Sequence, residues 1–453
     1  MDTDHKEGIG RRSFLLSGAA AIGASAVSYG RIVGANDRIS LGQIGIGNRG
    51  RELASVAAGL RHPHNVETTA VCDLWKVNRE RAVAAAANEY GRAPRSFPYF
   101  EDLLELNDLD AVIISTPDFQ HAPMLRLAAE AGKNAYCEKP MGNVLEEAKA
   151  ARDAVRQRNL VVQIGTQHRS EPYQIAARNV VARETLGDVS KVEMVWNFHG
   201  PRWRGRPEVH KIREEDTDWK RWLMGKPYRP FDPRAYFEFR LYHEFSSGIP
   251  DQWMSHGIDL VHYLLDARLP LSAVAMGGVF VWNDGRENPD TFQALLEYPA
   301  GFMVSYSTSF GNDSDSFTRI MGTKATLVNV GGEGSQRWKV IEERGTHEAN
   351  PFVHRSQKLV TLGAASRPMS WSQRLLSGAV EKTYGPLPFS SDANPAHMRN
   401  WFECLRNGNQ PNATVEHGFA HSVAVIMAAR SQREGKKLYW DANSEEIVGQ
   451  LPT

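Results

Sequence analysis

The fold is set by residues 39–50, which read Ile39-Ser40-Leu41-Gly42-Gln43-Ile44-Gly45-Ile46-Gly47-Asn48-Arg49-Gly50. An apolar run of strand length leads directly into the pattern G-x-G-x-x-G. Glycines at these positions allow a sharp turn from a strand into a helix, and the free amides at the start of that helix stabilise a bound phosphate. The pattern therefore predicts the first strand, turn and helix of a parallel α/β sheet.

A carboxylate completes this pattern at the end of the second predicted strand. The apolar run over residues 66–73 ends in Asp73, 23 residues after Gly50. A carboxylate there accepts hydrogen bonds from the ribose hydroxyls of an adenosine and repels a 2′-phosphate, so NAD is favoured over NADP. Lys76 and Arg79 follow closely enough to leave NADP open. Taken separately, each feature also has a purely structural explanation, since the glycines fit an ordinary turn and the aspartate fits a helix cap.

The rest of the chain divides into two predicted domains. Apolar runs at 111–116, 134–137 and 160–165 alternate with helical stretches, which predicts a Rossmann domain over residues 36–165. Residues 166–453 are predicted to form a second domain, in which alternating strands joined by short turns indicate an antiparallel sheet. Its predicted strands and late helices are 189–198, 272–282, 291–297, 302–310, 395–406, 416–432 and 437–440.

Two stretches, 199–245 and 331–390, lack periodicity and predict long ordered loops. The first is rich in tryptophan, tyrosine and arginine. Aromatic faces that stack on sugar rings and charged groups that bind hydroxyls suit a carbohydrate site. Core packing explains the same residues equally well.

Residues 1–35 fit neither domain and are typical of an export signal. Arg11 and Arg12 directly precede an apolar, alanine-rich stretch over residues 14–27 that is too short for a membrane anchor. Small residues at 24–26 and 33–35 offer cleavage sites. We expect a signal that engages the twin-arginine export machinery and places the protein in the periplasm. A frayed N-terminal helix is the alternative.

Composition excludes several other classes of protein. The 53 Lys and Arg residues balance the 53 Asp and Glu residues, and no long basic run offers a surface for nucleic acid or an anionic membrane. The three cysteines lie too far apart for a thiolate zinc motif or a dense disulfide framework. His62 and His64 lack a third ligand nearby, so we expect no metal site.

Two residues are candidates for proton chemistry. Lys139 follows the run at 134–137, at the carboxyl edge of the predicted sheet, where it can bind a substrate hydroxyl and stabilise a developing alkoxide. Helical spacing places Gln252, His256 and Asp259 on one face, where His256 can act as a general base. The alternatives are a loop lysine and a packed histidine.

These motifs, in this order, resemble the Gfo/Idh/MocA oxidoreductases, the family of glucose-fructose oxidoreductase and inositol dehydrogenase. The resemblance rests on the glycine motif, Asp73, residues 115–121, residues 131–140 and the His256 helix. It implies a Rossmann domain followed by an α/β domain with a large, mostly antiparallel sheet. It also implies hydride transfer between NAD or NADP and a hydroxyl carbon of a sugar, sugar derivative or cyclitol.

The resemblance implies that Lys139 and His256 form the catalytic set. The other residues expected at the site are, for the cofactor, Gly45, Gly47, Asn48, Arg49, Gly50, Asp73, Thr116, Pro117, His121 and Glu138, and, for the substrate, His168, Arg169, Gln252 and Asp259. One departure stands out, because family dehydrogenases commonly have an aspartate where this chain has Gln252. A glutamine cannot accept a proton, and Asp251 lies one residue away.

Three functions follow as hypotheses. The first is an exported oxidoreductase that acts on a sugar or polyol with a tightly bound NAD, because no freely exchanging nicotinamide pool is expected outside the cytoplasm. The second is a redox-neutral, NAD-dependent glycosidase or lyase that oxidises the sugar transiently. The third is a non-catalytic sensor of sugar or dinucleotide. The exposed face of an antiparallel sheet also favours a homo-oligomer, either a dimer or a tetramer.

Overall fold

The computed structural model describes residues 37–314, 316–330, 338–343, 359–362 and 393–451. Within them, six strands form a parallel sheet in the order β3-β2-β1-β4-β5-β6. The strands are β1 Ile39–Ile44, β2 Val66–Cys72, β3 Arg95–Phe97, β4 Ala111–Ile114, β5 Asn134–Cys137 and β6 Val162–Ile164. The helices up to the second sheet are α1 Asn48–Gly59, α2 Arg61–His64, α3 Lys76–Tyr90, α4 Phe100–Leu104, α5 His121–Glu130, α6 Leu145–Arg158 and α7 Pro172–Ala182.

The central strands of this sheet are apolar along their whole length because helices cover both faces. Every residue of β4 is buried, as expected for a parallel strand between two helical layers. The switch in strand order falls between β1 and β4, and the carboxyl ends of these strands open into a crevice. This arrangement confirms the predicted Rossmann-type sheet.

A second sheet of ten described strands has the order β16-β15-β14-β13-β7-β11-β10-β9-β17-β18. All of its neighbouring pairs are antiparallel except β7 with β11, which confirms the predicted mostly antiparallel sheet. The strands here, with the small pair β8 and β12, are β7 Val189–Val195, β8 Phe198–His199, β9 Ser272–Gly278, β10 Thr291–Tyr298, β11 Phe302–Ser309, β12 Gly311–Asn312, β13 Phe317–Gly322, β14 Ala325–Val330, β15 Trp338–Glu342, β16 Leu359–Leu362, β17 Leu438–Asp441 and β18 Glu446–Val448. The helices are α8 Trp219–Trp222, α9 Pro233–Phe237, α10 Ser255–Leu265, α11 Ala393–Asn407 and α12 Val415–Glu434.

The predicted strand at 272–282 is too long. β9 ends at Gly278 because the carboxylate of Asp290 accepts hydrogen bonds from the backbone amides of Phe280, Val281 and Trp282. These amides therefore pair with a side chain and leave the sheet. The prediction for residues 331–390 falls mostly outside the described residues, as does the predicted signal at 1–35.

Two late helices fasten the two sheets together. Trp401 and Phe402 of α11 are fully buried in a cluster with Leu41 of β1 and Leu53 of α1, so a helix from the end of the chain completes the core of the first domain. Helix α12 packs against β9, α10 and α6. It approaches β6 so closely that a Cβ at Gly418 would lie 2.7 Å from Ile164 Cγ1. No helix in the described ranges combines the length and the apolar character needed to cross a bilayer.

Buried histidines make the stability of this fold pH-dependent. Burial lowers the pKa of His262 to about 3 and the pKa values of His397 and His417 to about 4. In the unfolded chain each of these groups takes up a proton below its ordinary pKa of 6.5. The unfolded state therefore binds more protons than the folded state in this range, and stability falls as the pH falls.

We expect the free energy of unfolding to drop between pH 6.5 and pH 4, by about 1.4 kcal/mol per pH unit for each such histidine. Urea unfolding followed by tryptophan fluorescence at pH 7.5, 6 and 5 measures this. The variant His262→Phe replaces a ring that contacts Tyr298 at 5.5 Å between centroids, and it should flatten the pH dependence. An unfolding midpoint that is the same at pH 7.5 and pH 5 would contradict the prediction.

Candidate active site

A large cavity opens at the carboxyl edge of the parallel sheet and extends toward the second domain. Its volume is about 1220 Å³, which exceeds the usual range for a single small ligand and leaves room for a dinucleotide with a second molecule. Of the residues predicted for the site, those that line the cavity are Gly45, Gly47, Asn48, Arg49, Asp73, Thr116, Pro117, His121, Glu138, Lys139, His168, Gln252 and His256. Gly50, Arg169 and Asp259 do not line it.

The glycine turn has the geometry that a diphosphate requires. Gly45 has φ +82°, a left-handed conformation that favours glycine. A Cβ on Gly50 would lie 2.1 Å from the Gly45 oxygen, so Gly50 permits close packing of α1 on the turn and makes no contact with the cavity. Gly47 precedes α1 without any side-chain cap. The first amides of α1 are thus open to an anion in the cavity.

Asp73 is held rigidly beside this turn. Its carboxylate accepts hydrogen bonds from the backbone amides of Ile46 (2.7 Å) and Trp75 (2.9 Å) and from Asn78 Nδ2 (3.2 Å). Burial raises the pKa of Asp73. Arg79 donates to the backbone oxygen of Asp73 (2.7 Å), and its charge partly opposes this rise in pKa.

Trp75 is a feature of this region that the sequence analysis missed. It lines the cavity directly after Asp73, and its buried Nε1 has no hydrogen-bond partner among the described residues. A buried donor without a partner is costly unless a ligand satisfies it. The uncapped helix, the fixed carboxylate and this indole together fit the diphosphate and adenosine of NAD.

Arg49 and Glu138, both predicted to contact the cofactor, pair with each other. Arg49 Nε donates to Glu138 Oε1 (2.8 Å), and Arg49 Nη2 donates to Asn394 Oδ1 (3.0 Å) at the start of α11. A Cβ at Gly165 would lie 2.7 Å from the Glu138 carboxyl group, which shows how tightly this carboxylate is enclosed. The ion pair therefore holds this part of the cavity wall in place, and both of its residues also face the cavity.

His121 joins two loops at the carboxyl edge of the parallel sheet. Its ring nitrogens lie 2.8 Å from the backbone oxygens of Thr116, after β4, and Pro140, after β5. The ring is buried. It therefore fixes the loop that presents Lys139 relative to the loop with Thr116 and Pro117.

Lys139 meets the helix of His256 through Gln252. Lys139 Nζ donates to the backbone oxygen of Gln252 (2.8 Å) and to Gln252 Oε1 (3.3 Å). The Nε2 of Gln252 is buried, and no hydrogen-bond partner for it exists in the part of the chain that the structure describes. Since Gln252 lines the cavity, this amide is placed to donate to a substrate.

Asp251 does not replace the missing aspartate. It lies in a π-helical turn, Pro250–Met254, directly before α10, and wide turns of this kind are frequent at functional sites. Its carboxylate accepts hydrogen bonds from the Ser247 amide (2.7 Å) and contacts Ser246 Oγ (3.2 Å). Burial, followed by the charge of Asp118, raises the pKa of Asp251. Gln252 thus occupies the cavity position, and Asp251 faces away.

His256 is kept neutral and in contact with other rings. Burial, followed by the charge of Lys139, lowers the pKa of His256 well below its ordinary value, so the imidazole is available to accept a proton at neutral pH. Its ring centroid lies 5.3 Å from that of His168 and 6.4 Å from that of Trp196. His168 is held in turn by Glu171, with 2.9 Å between Nδ1 and Oε2.

Arg169 and Asp259 were predicted to contact substrate, but the structure places them behind the cavity wall. Arg169 Nε donates to both carboxylate oxygens of Asp259, at 3.0 and 2.8 Å. Both side chains are almost fully buried. Burial raises the pKa of Asp259, but the charge of Arg169 outweighs this and leaves that pKa well below its usual value. The two residues therefore act as a structural ion pair, since neither reaches the cavity.

No group of three or more metal-binding side chains occurs within the described ranges.

The comparisons with known proteins agree with the geometry. Residues 39–166 match the family model for the oxidoreductase NAD-binding Rossmann fold (GFO_IDH_MocA), and residues 225–439 match the model for the C-terminal alpha/beta domain of the same oxidoreductase family. The chain belongs to the Gfo/Idh/MocA oxidoreductase family. Its Rossmann domain is therefore an NAD-binding domain.

Individual relatives share only low sequence identity with this Gfo/Idh/MocA protein. A glycosyl hydrolase family 109 protein from Shewanella sp. (strain W3-18-1) is 30% identical over 198 residues, which cover 42% of this chain and 42% of the relative. The alignments with such curated relatives thus span about half of their length or less. Levoglucosan dehydrogenase in complex with NADH and levoglucosan has a TM-score of 0.64 at 17% identity, covering 92% of this chain and 100% of its own. Aldose-aldose oxidoreductase from Caulobacter crescentus has a TM-score of 0.61 at 19% identity, covering 89% and 99%. These two structural similarities show that the chain shares the fold of these proteins.

The family models leave residues 167–224 unmatched, and this stretch supplies much of the wall beyond His256. Trp196 stacks on Trp253, with 4.3 Å between ring centroids, and both indoles line the cavity. Trp219 and Trp222 also stack, at 4.8 Å, in a buried cluster, and Trp222 borders the cavity as well. The aromatic residues therefore serve both of the roles that the sequence left open, and Trp222 serves both at once.

Proposed function

We propose that this protein is an NAD-dependent oxidoreductase that acts on a hydroxyl carbon of a sugar, sugar derivative or cyclitol. The main support for this proposal is that Lys139, Gln252 and His256 lie together in the same cavity as the glycine turn and Asp73. The stacked indoles of Trp196 and Trp253 offer a flat apolar face of the kind on which a sugar ring packs.

The residues divide the chemistry among themselves. NAD, when bound, supplies the acceptor for hydride from the substrate carbon. Lys139 donates a hydrogen bond to the reacting oxygen and stabilises negative charge on it. The neutral His256 accepts the hydroxyl proton. Gln252 orients Lys139 through its oxygen atoms and the substrate through its free amide hydrogens.

A second candidate is a glycosidase or lyase with no net oxidation of the sugar. The glycosyl hydrolase family 109 relatives favour it, as does Gln252, because a glutamine gives the proton no carboxylate through which to leave the site. In this version the same two residues move protons on and off the sugar, and the cofactor ends each cycle in its initial oxidation state.

The test starts from protein purified without added cofactor. Denaturation and chromatography identify any released nicotinamide, and absorbance at about 340 nm reports its reduction while sugars and aryl glycosides are added. Bound NAD that becomes and stays reduced supports the oxidoreductase. Glycoside consumed without lasting reduction supports the second candidate. A protein that binds sugar and never turns it over is a sensor, and both enzymatic proposals then fail.

We also propose that the cofactor is retained between turnovers. The segment 199–245 crosses from the second domain over the adenosine end of the cavity. Tyr99 Oη donates to Asp218 (3.2 Å), Arg221 pairs with Glu101 (2.9 Å) and Gln120 donates to the Trp222 backbone oxygen (2.7 Å). All three contacts must break before this end opens. Nucleotide that survives gel filtration and dialysis supports retention, and nucleotide that exchanges within seconds opposes it.

Retention suits the exported location that the first 35 residues predict. We propose that the chain is translocated, folded and loaded with NAD, by the twin-arginine machinery to the periplasm. Replacement of both Arg11 and Arg12 by lysine should leave the protein in the cytoplasmic fraction. Equal periplasmic amounts of the variant and the parent would refute this route.

We further propose a homo-oligomer that forms through the open face of the ten-stranded sheet. Val274 and Leu295 are paired across β9 and β10, and they lie on the same face as Met276 and Met303, with all four exposed. Such a group of exposed apolar side chains on an open sheet face favours association between protein chains. Light scattering of the purified chain gives its mass, and a strict monomer would oppose this proposal.

A further inference from the structure

The cavity wall includes an arginine pair, Arg206 and Arg240, that no part of the site described above uses. Their guanidinium groups are close enough for the charge of Arg240, after burial, to lower the pKa of Arg206. Two arginine charges on one partly buried wall repel each other, and an anion bound near them relieves that repulsion.

Two carboxylates, Glu208 and Glu238, offset part of the charge of Arg206, and Glu238 already has other partners. Glu238 is buried, and its Oε1 accepts hydrogen bonds from the backbone amides of Gly205 (2.7 Å) and Arg206 (3.2 Å). Its Oε2 pairs with Arg204 and, at 3.5 Å, with Arg234. Within the described residues the guanidinium of Arg206 forms no ion pair, although Glu208 also lines the cavity and offsets part of the charge.

Arg240 also keeps a free donor. Its Nη2 donates to Asp118 Oδ1 (3.3 Å) and so pairs its charge with that carboxylate, but its Nε is buried and has no hydrogen-bond partner among the residues that the structure describes. The guanidinium carbon lies 4.6 Å from the centroid of the Phe239 ring, which limits its movement. A buried, charged donor without an acceptor is costly unless a ligand supplies one.

The arginine pair lies beside the substrate end of the cavity. Trp203 packs on Phe310 (5.2 Å between centroids), and Phe310 packs on Trp253 (5.0 Å), so the segment that carries Arg206 borders the indole wall near His256. Arg240 reaches Asp118, which directly follows Pro117 at the carboxyl edge of β4. The dinucleotide diphosphate has its own site at the start of α1.

We propose that Arg206 and Arg240 form an anion-binding subsite, so that the substrate is a sugar carrying a carboxylate, sulfate or phosphate group. This inference rests on the proposed function, because it assumes that the cavity holds a sugar next to Lys139. Two guanidinium groups with free donors can bind the oxygens of such a group by charge-assisted hydrogen bonds, which are stronger than those between neutral groups.

The test measures binding to the NAD-loaded full chain by calorimetry, independently of turnover. The ligands are the methyl glycosides of glucuronate and galacturonate, the 6-sulfates and 6-phosphates of glucose and galactose, and the neutral methyl glycosides of glucose and galactose. We expect at least one anionic ligand to bind about tenfold or more tightly than its neutral counterpart. That preference should weaken as salt increases.

Arg206→Gln should remove about tenfold of the affinity for the preferred anionic ligand and leave the neutral glycoside unchanged, while Arg206→Lys retains part of the preference. Arg213→Gln is the matched control, since Arg213 lies in the same segment and pairs with Asp216 at the surface. It should change neither affinity. Nucleotide content and thermal unfolding of each variant establish that it is folded and loaded.

Three outcomes overturn the subsite. In the first, no anionic ligand binds more tightly than its neutral counterpart. In the second, Arg206→Gln weakens the binding of anionic and neutral ligands equally. In the third, Arg206→Gln purifies without NAD, which would assign the arginine to the cofactor diphosphate. A loaded protein that prefers anionic sugars yet never reduces its NAD would leave the subsite intact and refute the oxidoreductase. The two proposals therefore fail separately.

Discussion

Lys139→Ala is expected to lower kcat/KM by a factor of about 10² to 10⁴ while the protein still purifies with its nicotinamide. The expected size is that of a positioned acid or base in other enzymes. Lys139 Nζ is anchored by the backbone oxygen and Oε1 of Gln252, so the ammonium is already oriented before substrate arrives. Steady-state kinetics and the nucleotide released on denaturation provide the two readouts.

Lys191→Ala is the control for this change. Lys191 is an exposed lysine on β7 that pairs with Glu193, and its removal should leave both readouts unchanged. An unaltered rate in Lys139→Ala would remove Lys139 from the chemistry. Loss of the nucleotide together with the rate would instead make it a cofactor-binding residue.

Arg169→Met is expected to cost about 3 to 5 kcal/mol of stability, because it leaves the Asp259 carboxylate buried with no guanidinium partner. His421 Nδ1 lies 3.6 Å from the same carboxylate, too far for a strong hydrogen bond. In the parent protein Arg169 keeps the pKa of Asp259 low against the effect of burial. Without Arg169 that pKa rises, so the loss of stability relative to the parent should shrink as the pH is lowered.

Urea unfolding at pH 7.5 and pH 5 measures the effect. Arg169→Met combined with Asp259→Leu removes both charges and should recover most of the loss. Arg126→Met breaks an exposed pair with Glu130 on α5 and should cost less than about 1 kcal/mol. If Arg169→Met were as mild as Arg126→Met, the buried pair would not stabilise the fold.

Local sequence patterns predicted the parts of the site that are formed by residues close together in the sequence. The glycine turn before α1 and the carboxylate after β2 follow from the chain's own conformational limits, because only glycine adopts φ +82° readily and because strands in one parallel sheet end at one edge. The alternation of apolar and polar residues over 291–297 likewise predicted an antiparallel sheet with one open face, and the residues of β10 are alternately buried and exposed.

Residues far apart in sequence were harder to place. Helical spacing put Asp259 on the same face as His256, but spacing carries no information about Arg169, which approaches from another element and turns that face into a buried ion pair. Tryptophans 196, 219, 222 and 253 show the same limit, since Trp196 and Trp253 stack in the cavity wall while Trp219 and Trp222 stack in a buried cluster, of which Trp222 also borders the cavity.

The sequence by itself determined the family, the NAD-binding turn, the two kinds of sheet and the candidates Lys139 and His256, because each depends on short-range patterns of glycine, charge and hydrophobicity. Only the tertiary structure decided that Gln252 faces Lys139 while Asp251 faces away, and that Arg206 and Arg240 line the same cavity. These relations depend on how separate elements pack, and the free energy of packing is shared among residues that no local pattern connects.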